Sequence, residues 1–194
     1  MNLYSVLGLL IIIIFYGGYF TKGIIQGRKG IKTDRMARGN KPRKTFVIEV
    51  VLKIITYLTA IVQVATILFT REVDFLIQGN TIRIIGGFIG IAGVSVFIVA
   101  MTTMSDSWRA GIDESQSTKI IKTGIYKYSR NPAFLGFDLF YIGIGLMFSG
   151  ILNIIIALIA IIILHFQILE EEKFLPTVFG EEYSEYKSNT RRYI

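Results

Sequence analysis

The chain of 194 residues has no cysteine, one histidine and three prolines. Without thiols it forms neither a disulfide nor a thiolate metal site, and a lone His165 excludes a multi-histidine zinc centre. Acidic residues are also sparse, 14 against 21 Lys and Arg, which leaves a formal net charge of +7. Such a balance could suit nucleic acid, but its placement argues otherwise. Nine of the basic residues lie between Lys22 and Lys44, directly behind the first apolar run. A basic block flanking a membrane helix is what the positive-inside bias produces, so no nucleic-acid partner is expected. Internal repeats and low-complexity tracts are absent as well.

What the sequence does have is long apolar runs. Hydrophobic residues make up 52% of it, and the mean hydropathy is +0.55. Runs at about 3–20, 46–70, 84–104, 132–149 and 151–169 each approach the roughly 20 residues a helix needs to cross a hydrocarbon core about 30 Å thick. The expected fold is therefore all-α: an integral membrane bundle of five transmembrane helices, forming one membrane domain over 1–194. Its N-terminal three-helix part is 1–104, and 105–194 holds a polar loop, a helical hairpin and an amphipathic tail. The first run lacks preceding basic residues and a small-residue cleavage site, so it reads as a retained helix. Eighteen of the 21 basic residues fall in 21–45, 105–132 and 170–194, which favours an outside N-terminus and a cytoplasmic C-terminus. Gly86, Gly90 and Gly93 recur on neighbouring turns of the third helix, a spacing that lets membrane helices approach closely. Glu49 and Lys53 are four apart and can pair on one helix face.

The chemistry concentrates at the two ends of the hairpin. Asn131 is a good N-cap and Pro132 fits the first helical position, so the fourth helix presents free amides at the interface. With Arg130 beside it, this end favours an anion. The fifth helix ends in Glu170, Glu171 and Glu172 before Pro176, which is expected to stop or kink it. Carboxylates there oppose the helix dipole and call for a cationic or hydrogen-bonding partner. The bland alternatives are a well-capped helix and a solvated acidic patch. Together, however, the two ends emerge on one face, with Tyr126, Tyr128, Phe134 and Tyr183 available for stacking. A zwitterionic nucleoside such as S-adenosylmethionine suits this combination, although the physics does not single it out. Asp138, one turn beyond Phe134, is an intramembrane carboxylate, either near a substrate entrance or a structural partner for Lys53 or a hydroxyl. His165 reads as a hydrogen-bonded structural residue ahead of a catalytic base.

The segment TGIYKYSRNPAFLGFDLFYIG, followed after one hairpin by EEKFLPTVFGEEYSEY, resembles the integral membrane methyltransferases of the isoprenylcysteine carboxyl methyltransferase and phospholipid methyltransferase group. The first motif takes in Gly124, Tyr126, Arg130, Asn131, Pro132, Phe134 and Gly136; the second takes in Glu171, Glu172, Leu175, Phe179, Gly180, Tyr183 and Tyr186. SDSWRAGI, with Trp108 and Arg109, resembles the segment preceding the cofactor motif in many prokaryotic members, which implies a prokaryotic cell membrane. The likeness covers residues 100–194. It implies a methyltransferase using S-adenosylmethionine, held by Gly124, Tyr126, Tyr128, Arg130, Asn131, Pro132, Phe134, Glu171, Glu172 and Tyr183. Arg109 and Glu172 are the candidate catalytic residues, and no metal is expected. The partners would be a lipophilic or small methyl acceptor and membrane lipids. Eukaryotic members have His-Pro where this chain has Asn131-Pro132; asparagine can still hydrogen-bond but cannot do an imidazole's acid–base work. Two rival readings are a membrane NADPH-dependent reductase of the sterol-reductase type and a non-catalytic scaffold or transporter component.

Overall fold

The computed structural model describes residues 2–39, 41–71, 74–111 and 119–194. Six α-helices run in order: α1 (Leu3–Arg28), α2 (Arg43–Phe69), α3 (Asn80–Met104), α4 (Pro132–Met147), α5 (Ile151–Phe179) and α6 (Glu181–Asn189). Short 3-10 turns occupy Ser105–Ser107 and Gly124–Lys127. Among the described residues the sole β pairing is an isolated bridge between Asp34 and Ala110. The all-α membrane bundle is thus observed. The five expected spans differ in length. Four helices, α1, α2, α3 and α5, are long and apolar enough to cross a membrane. The fourth apolar run becomes a 16-residue helix, about 24 Å at 1.5 Å per residue and short of a 30 Å core. It is trimmed because the chain already turns at 148–150 to start α5.

One correction concerns Pro176, which does not end α5; the helix runs through it to Phe179. Gly180 stops it instead, at φ +54°, where its amide donates to the Pro176 carbonyl at 2.9 Å. A further correction is the pairing of Glu49 with Lys53. The α1–α2 loop folds back over the end of α2 and supplies closer partners. Glu49 accepts from Lys41 at 2.6 Å and from the Ala37 amide at 2.7 Å, while Lys53 pairs with Asp34 at 2.5 Å.

Glycines bring α3 and α4 into backbone contact, as their spacing suggested. A Cβ on Gly93 would stand 2.4 Å from the Phe140 nitrogen, and one on Gly143 would stand 2.3 Å from that of Gly90. Beside this seam an aromatic core fills the bundle: Phe15 stacks on Phe140 at 4.0 Å and meets Phe97 at 4.7 Å. The α2 helix is polar inside and apolar outside. Its buried face carries Thr45, Glu49, Thr59, Gln63 and Thr66, whereas Val47, Val51, Ile54, Leu58 and Ile61 are exposed. That inversion fits a helix whose outer face meets lipid and whose polar groups face the bundle interior. Thr45 reaches across to donate to Glu170 at 2.9 Å, tying α2 to α5.

Candidate active site at the ends of one helical hairpin

Helices α4 and α5 form an antiparallel hairpin, so the start of one must lie beside the end of the other. Asn131 does stand at the cap position of α4, with Pro132 first in the helix, but its side chain makes no cap hydrogen bond. This corrects the capping expectation. The amide instead donates to Glu172 Oε1 and to the Arg192 carbonyl, each at 3.2 Å. Donation through Nδ2 to the buried carboxylate fixes the side chain in an orientation that leaves its oxygen without a first-turn amide.

Glu172 is the centre of an ionic knot. It is 4% exposed, and both Arg130 Nη2 and Arg192 Nη2 donate to it at 2.9 Å. Arg130 goes further, donating to the Lys187 carbonyl at 3.0 Å and to the Thr190 carbonyl. Its own amide donates to the Arg191 carbonyl at 2.9 Å. Tyr186 closes the wrap by donating its hydroxyl to the Tyr126 carbonyl at 2.6 Å. The tail is therefore strapped across the head of the hairpin. The Glu172 carboxylate holds the Arg192 guanidinium above its ordinary range.

Beside the knot opens a cavity of about 170 Å³. Of the residues singled out in the sequence, Arg109, Tyr126, Arg130, Asn131, Glu171, Leu175, Phe179, Tyr183 and Tyr186 line it. Glu172, Gly124, Tyr128, Pro132 and Phe134 do not. Gly124 sits at φ +60° against Thr103, Tyr128 is 74% exposed, and Phe134 packs on the hydrophobic core. The adjacent glutamates thus face different neighbours. Glu172 belongs to the strap, while Glu171 fronts the cavity, with one oxygen accepting from Gln167 Nε2 at 3.0 Å. Burial and then the Glu172 carboxylate push the Tyr183 phenol up to about 12. Its hydroxyl lies near the Arg130 guanidinium without a hydrogen bond. Burial likewise raises Tyr186 to about 12 and Tyr126 further, so these phenols are neutral donors.

Phe174 and Arg35, which the sequence reading did not single out, also line the wall. Phe174 follows Glu171 by three residues, so helical periodicity could have found it. Arg35 carries no such signal. It arrives because the α1–α2 loop pairs with the segment after α3: the Arg35 amide donates to the Ala110 carbonyl at 2.8 Å, and the Ala110 amide to Thr33 at 2.9 Å.

Known proteins share both sequence and fold with this chain. The family model described as phospholipid methyltransferase matches residues 75–182. The protein-S-isoprenylcysteine O-methyltransferase of Saccharomyces cerevisiae is 31% identical over 108 residues, which are 54% of this chain and 45% of the yeast protein. The chain therefore spans less than half the length of that relative. Among solved structures, the eukaryotic intramembrane Ras methyltransferase ICMT (isoprenylcysteine carboxyl methyltransferase) superposes with a TM-score of 0.61 at 21% identity. The match covers 99% of this chain and 72% of that one, and it shows a shared fold. On the family match, which runs from ahead of α3 into α6 and takes in both ends of the hairpin, the chain belongs to the phospholipid methyltransferase family.

Proposed function

We propose that this protein is an integral membrane methyltransferase that uses S-adenosylmethionine and methylates a lipophilic or small acceptor. The observation that carries the reading is the composition of one cavity wall: a carboxylate, Glu171, beside the aromatic rings of Tyr126, Phe174 and Tyr183. A nucleoside that also bears an ammonium and a sulfonium needs both kinds of surface. The buried Tyr183 hydroxyl, which has no hydrogen-bond partner, supports the fit because it leaves a donor available to a ribose or amino-acid group. Bound there, S-adenosylmethionine supplies an electrophilic sulfonium methyl.

The chain's own residues would do the remaining work. Glu171 favours the cationic part of the cofactor, Tyr126 and Tyr183 flank its flat base, and Asn131 contributes an amide at the rim. Arg109, which also lines the cavity, orients an anionic nucleophile. Glu172 positions Arg130 and the tail and thereby excludes water, a role different from direct contact with the cofactor. Alignment of two partners in such a site is worth about 7–11 kcal/mol of barrier. The excess of Lys and Arg on the segments around the cavity supports a cytoplasmic site, with α4 and its turn completing a fifth, shorter crossing.

The test is titration of the full chain in detergent with S-adenosylmethionine and, separately, NADPH. S-adenosylmethionine should bind the wild type, and Glu171→Gln should weaken it about tenfold, the loss of one charge-assisted contact. Equal affinity in the two proteins, or tighter binding of NADPH, would overturn the reading.

A further inference from the structure

The cavity wall draws its cations from two distant stretches of sequence: Arg35 from the α1–α2 loop, and Arg109, Lys119 and Arg130 from between α3 and α4. Arg130 is engaged by Glu172 at 2.9 Å. Arg35 is distinguished by how firmly its backbone is held. Its amide donates to the Ala110 carbonyl at 2.8 Å, and its own carbonyl accepts from Lys41 Nζ at 2.8 Å. The facing segment leaves no slack, since a Cβ on Gly111, at φ +88°, would stand 2.7 Å from the Met36 nitrogen. The side chain is held as well: Arg35 Nε donates to the Lys32 carbonyl at 3.0 Å, which fixes the plane of the guanidinium.

Behind the loop stands one carboxylate. Glu49, on α2, accepts from Lys41 Nζ at 2.6 Å and from the Ala37 amide at 2.7 Å, both through Oε2. Ala37 lies at φ +56°, a left-handed conformation that a residue with a Cβ seldom adopts and that the surrounding contacts must impose. The Lys41 and Glu49 side chains are 5% and 0% exposed. A buried ion pair adds little stability over apolar residues of the same size, so fixing a geometry is the better account of its presence. The geometry this pair fixes is that of residues 35–37. Arg35, Lys41 and Glu49 all precede the family-matched segment 75–182.

We propose that Arg35 binds the carboxylate of the cofactor's amino-acid group, and that Glu49, acting through Lys41, is its positioning residue. The identity of the ligand rests on the methyltransferase reading. In that reading Glu171 takes the cationic part and the tyrosine rings take the base, while the carboxylate still needs a cation in the same cavity. A guanidinium meets a carboxylate with a fork of parallel donors, which the single ammonium of Lys119 does not offer. Glu49 touches no ligand. It holds Lys41, Lys41 holds the Arg35 carbonyl, and the loop so fixed presents the guanidinium at one place on the wall.

The experiment titrates the full chain in detergent with S-adenosylmethionine and with decarboxylated S-adenosylmethionine, which differ by the carboxylate alone. The wild type should prefer the carboxylated ligand by about tenfold, the worth of one charge-assisted contact. Arg35→Ala should abolish that preference and leave binding of the decarboxylated ligand unchanged. Glu49→Gln should reduce the preference at least about threefold, again without weakening the decarboxylated ligand, and Lys41→Arg, which keeps the ion pair, should retain it. Equal affinity of the wild type for the two ligands, or an undiminished preference in Arg35→Ala, overturns the carboxylate contact. Loss of both ligands in equal measure in Glu49→Gln overturns the positioning role, because a merely structural defect would spare neither. A wild type that binds neither ligand would instead defeat the methyltransferase reading and the carboxylate contact with it. Faster hydrogen exchange of the Arg35 and Ala37 amides in Glu49→Gln tests the hold on the loop without any ligand, and unchanged exchange overturns it.

Discussion

Helix α4 is held on its two sides by opposite means. Against α3 the contact is backbone on backbone: Gly136 and Gly143 oppose Phe97 and Gly90 with no room for a side chain. Against α5 and the tail the contact is charge on charge, with Glu172 gripped by Arg130 and Arg192. Lipid tails give helices no hydrophobic reason to associate, so close packing and hydrogen bonds must do the work. The glycine seam has no slack and serves as the frame. The ionic knot can lose one partner and keep another, which suits the strap beside a cavity that must admit ligands. The difference predicts how each side fails.

The largest effect is expected at the seam. Gly143→Leu would drive its Cβ to 2.3 Å from the Gly90 nitrogen, an atom of a helix backbone that cannot rotate aside. Overpacking usually costs about 1–3 kcal/mol where side chains can adjust; with backbone on both sides the cost should exceed that range. Size-exclusion chromatography in detergent should find little monodisperse protein. Recovery of a stable, normally melting variant would mean that α3 and α4 separate easily, and the contrast between rigid frame and adjustable strap would disappear.

Glu172→Gln should come next. Removing one member of a buried pair costs about 3–5 kcal/mol, because the partner charges are left behind. The lower end applies, since the Arg192 side chain is 37% exposed and can regain water. Melting in detergent should fall, and proteolysis within 187–194 should accelerate as the strap lifts. Glu171→Gln sharpens the comparison, because it should leave proteolysis of the tail unchanged while weakening cofactor binding. If the two variants behaved alike, the division of labour between adjacent glutamates would be wrong.

How much of this was legible in the sequence follows from the same physics. The apolar runs located the helices, and hairpin closure alone required Asn131 and Glu172 to meet, as they do at 3.2 Å. The two motifs fall at the adjoining ends of α4 and α5. The separate roles of Glu171 and Glu172 could not be read, because neighbours on a helix point about 100° apart and only the packing of α5 fixes which one faces Arg130. Pro176 misled because the rule describes a lost hydrogen bond, which a long, well-packed helix can tolerate. Arg35 was invisible because its position depends on a backbone clasp with Ala110, a contact between segments 75 residues apart in sequence.

The smallest effect is expected where charge pairing is neither buried nor near the strap. Lys53 and Asp34 meet at 2.5 Å, but their side chains are 30% and 37% exposed. By contrast, Lys41 and Glu49, which anchor the same loop, are 5% and 0% exposed. Exposed pairs are worth about 0–1 kcal/mol, since water and salt compete for both partners. Asp34→Asn keeps a hydrogen-bond acceptor for Lys53 and leaves Glu49 to hold the loop. Its melting shift should therefore correspond to less than about 1 kcal/mol and should shrink further between low and high salt. A loss as large as that of Glu172→Gln, insensitive to salt, would make the α1–α2 loop a second strap of the same kind. The knot at Glu172 would then no longer be the distinctive support of the site, because the clasp that delivers Arg35 to the cavity would share its role.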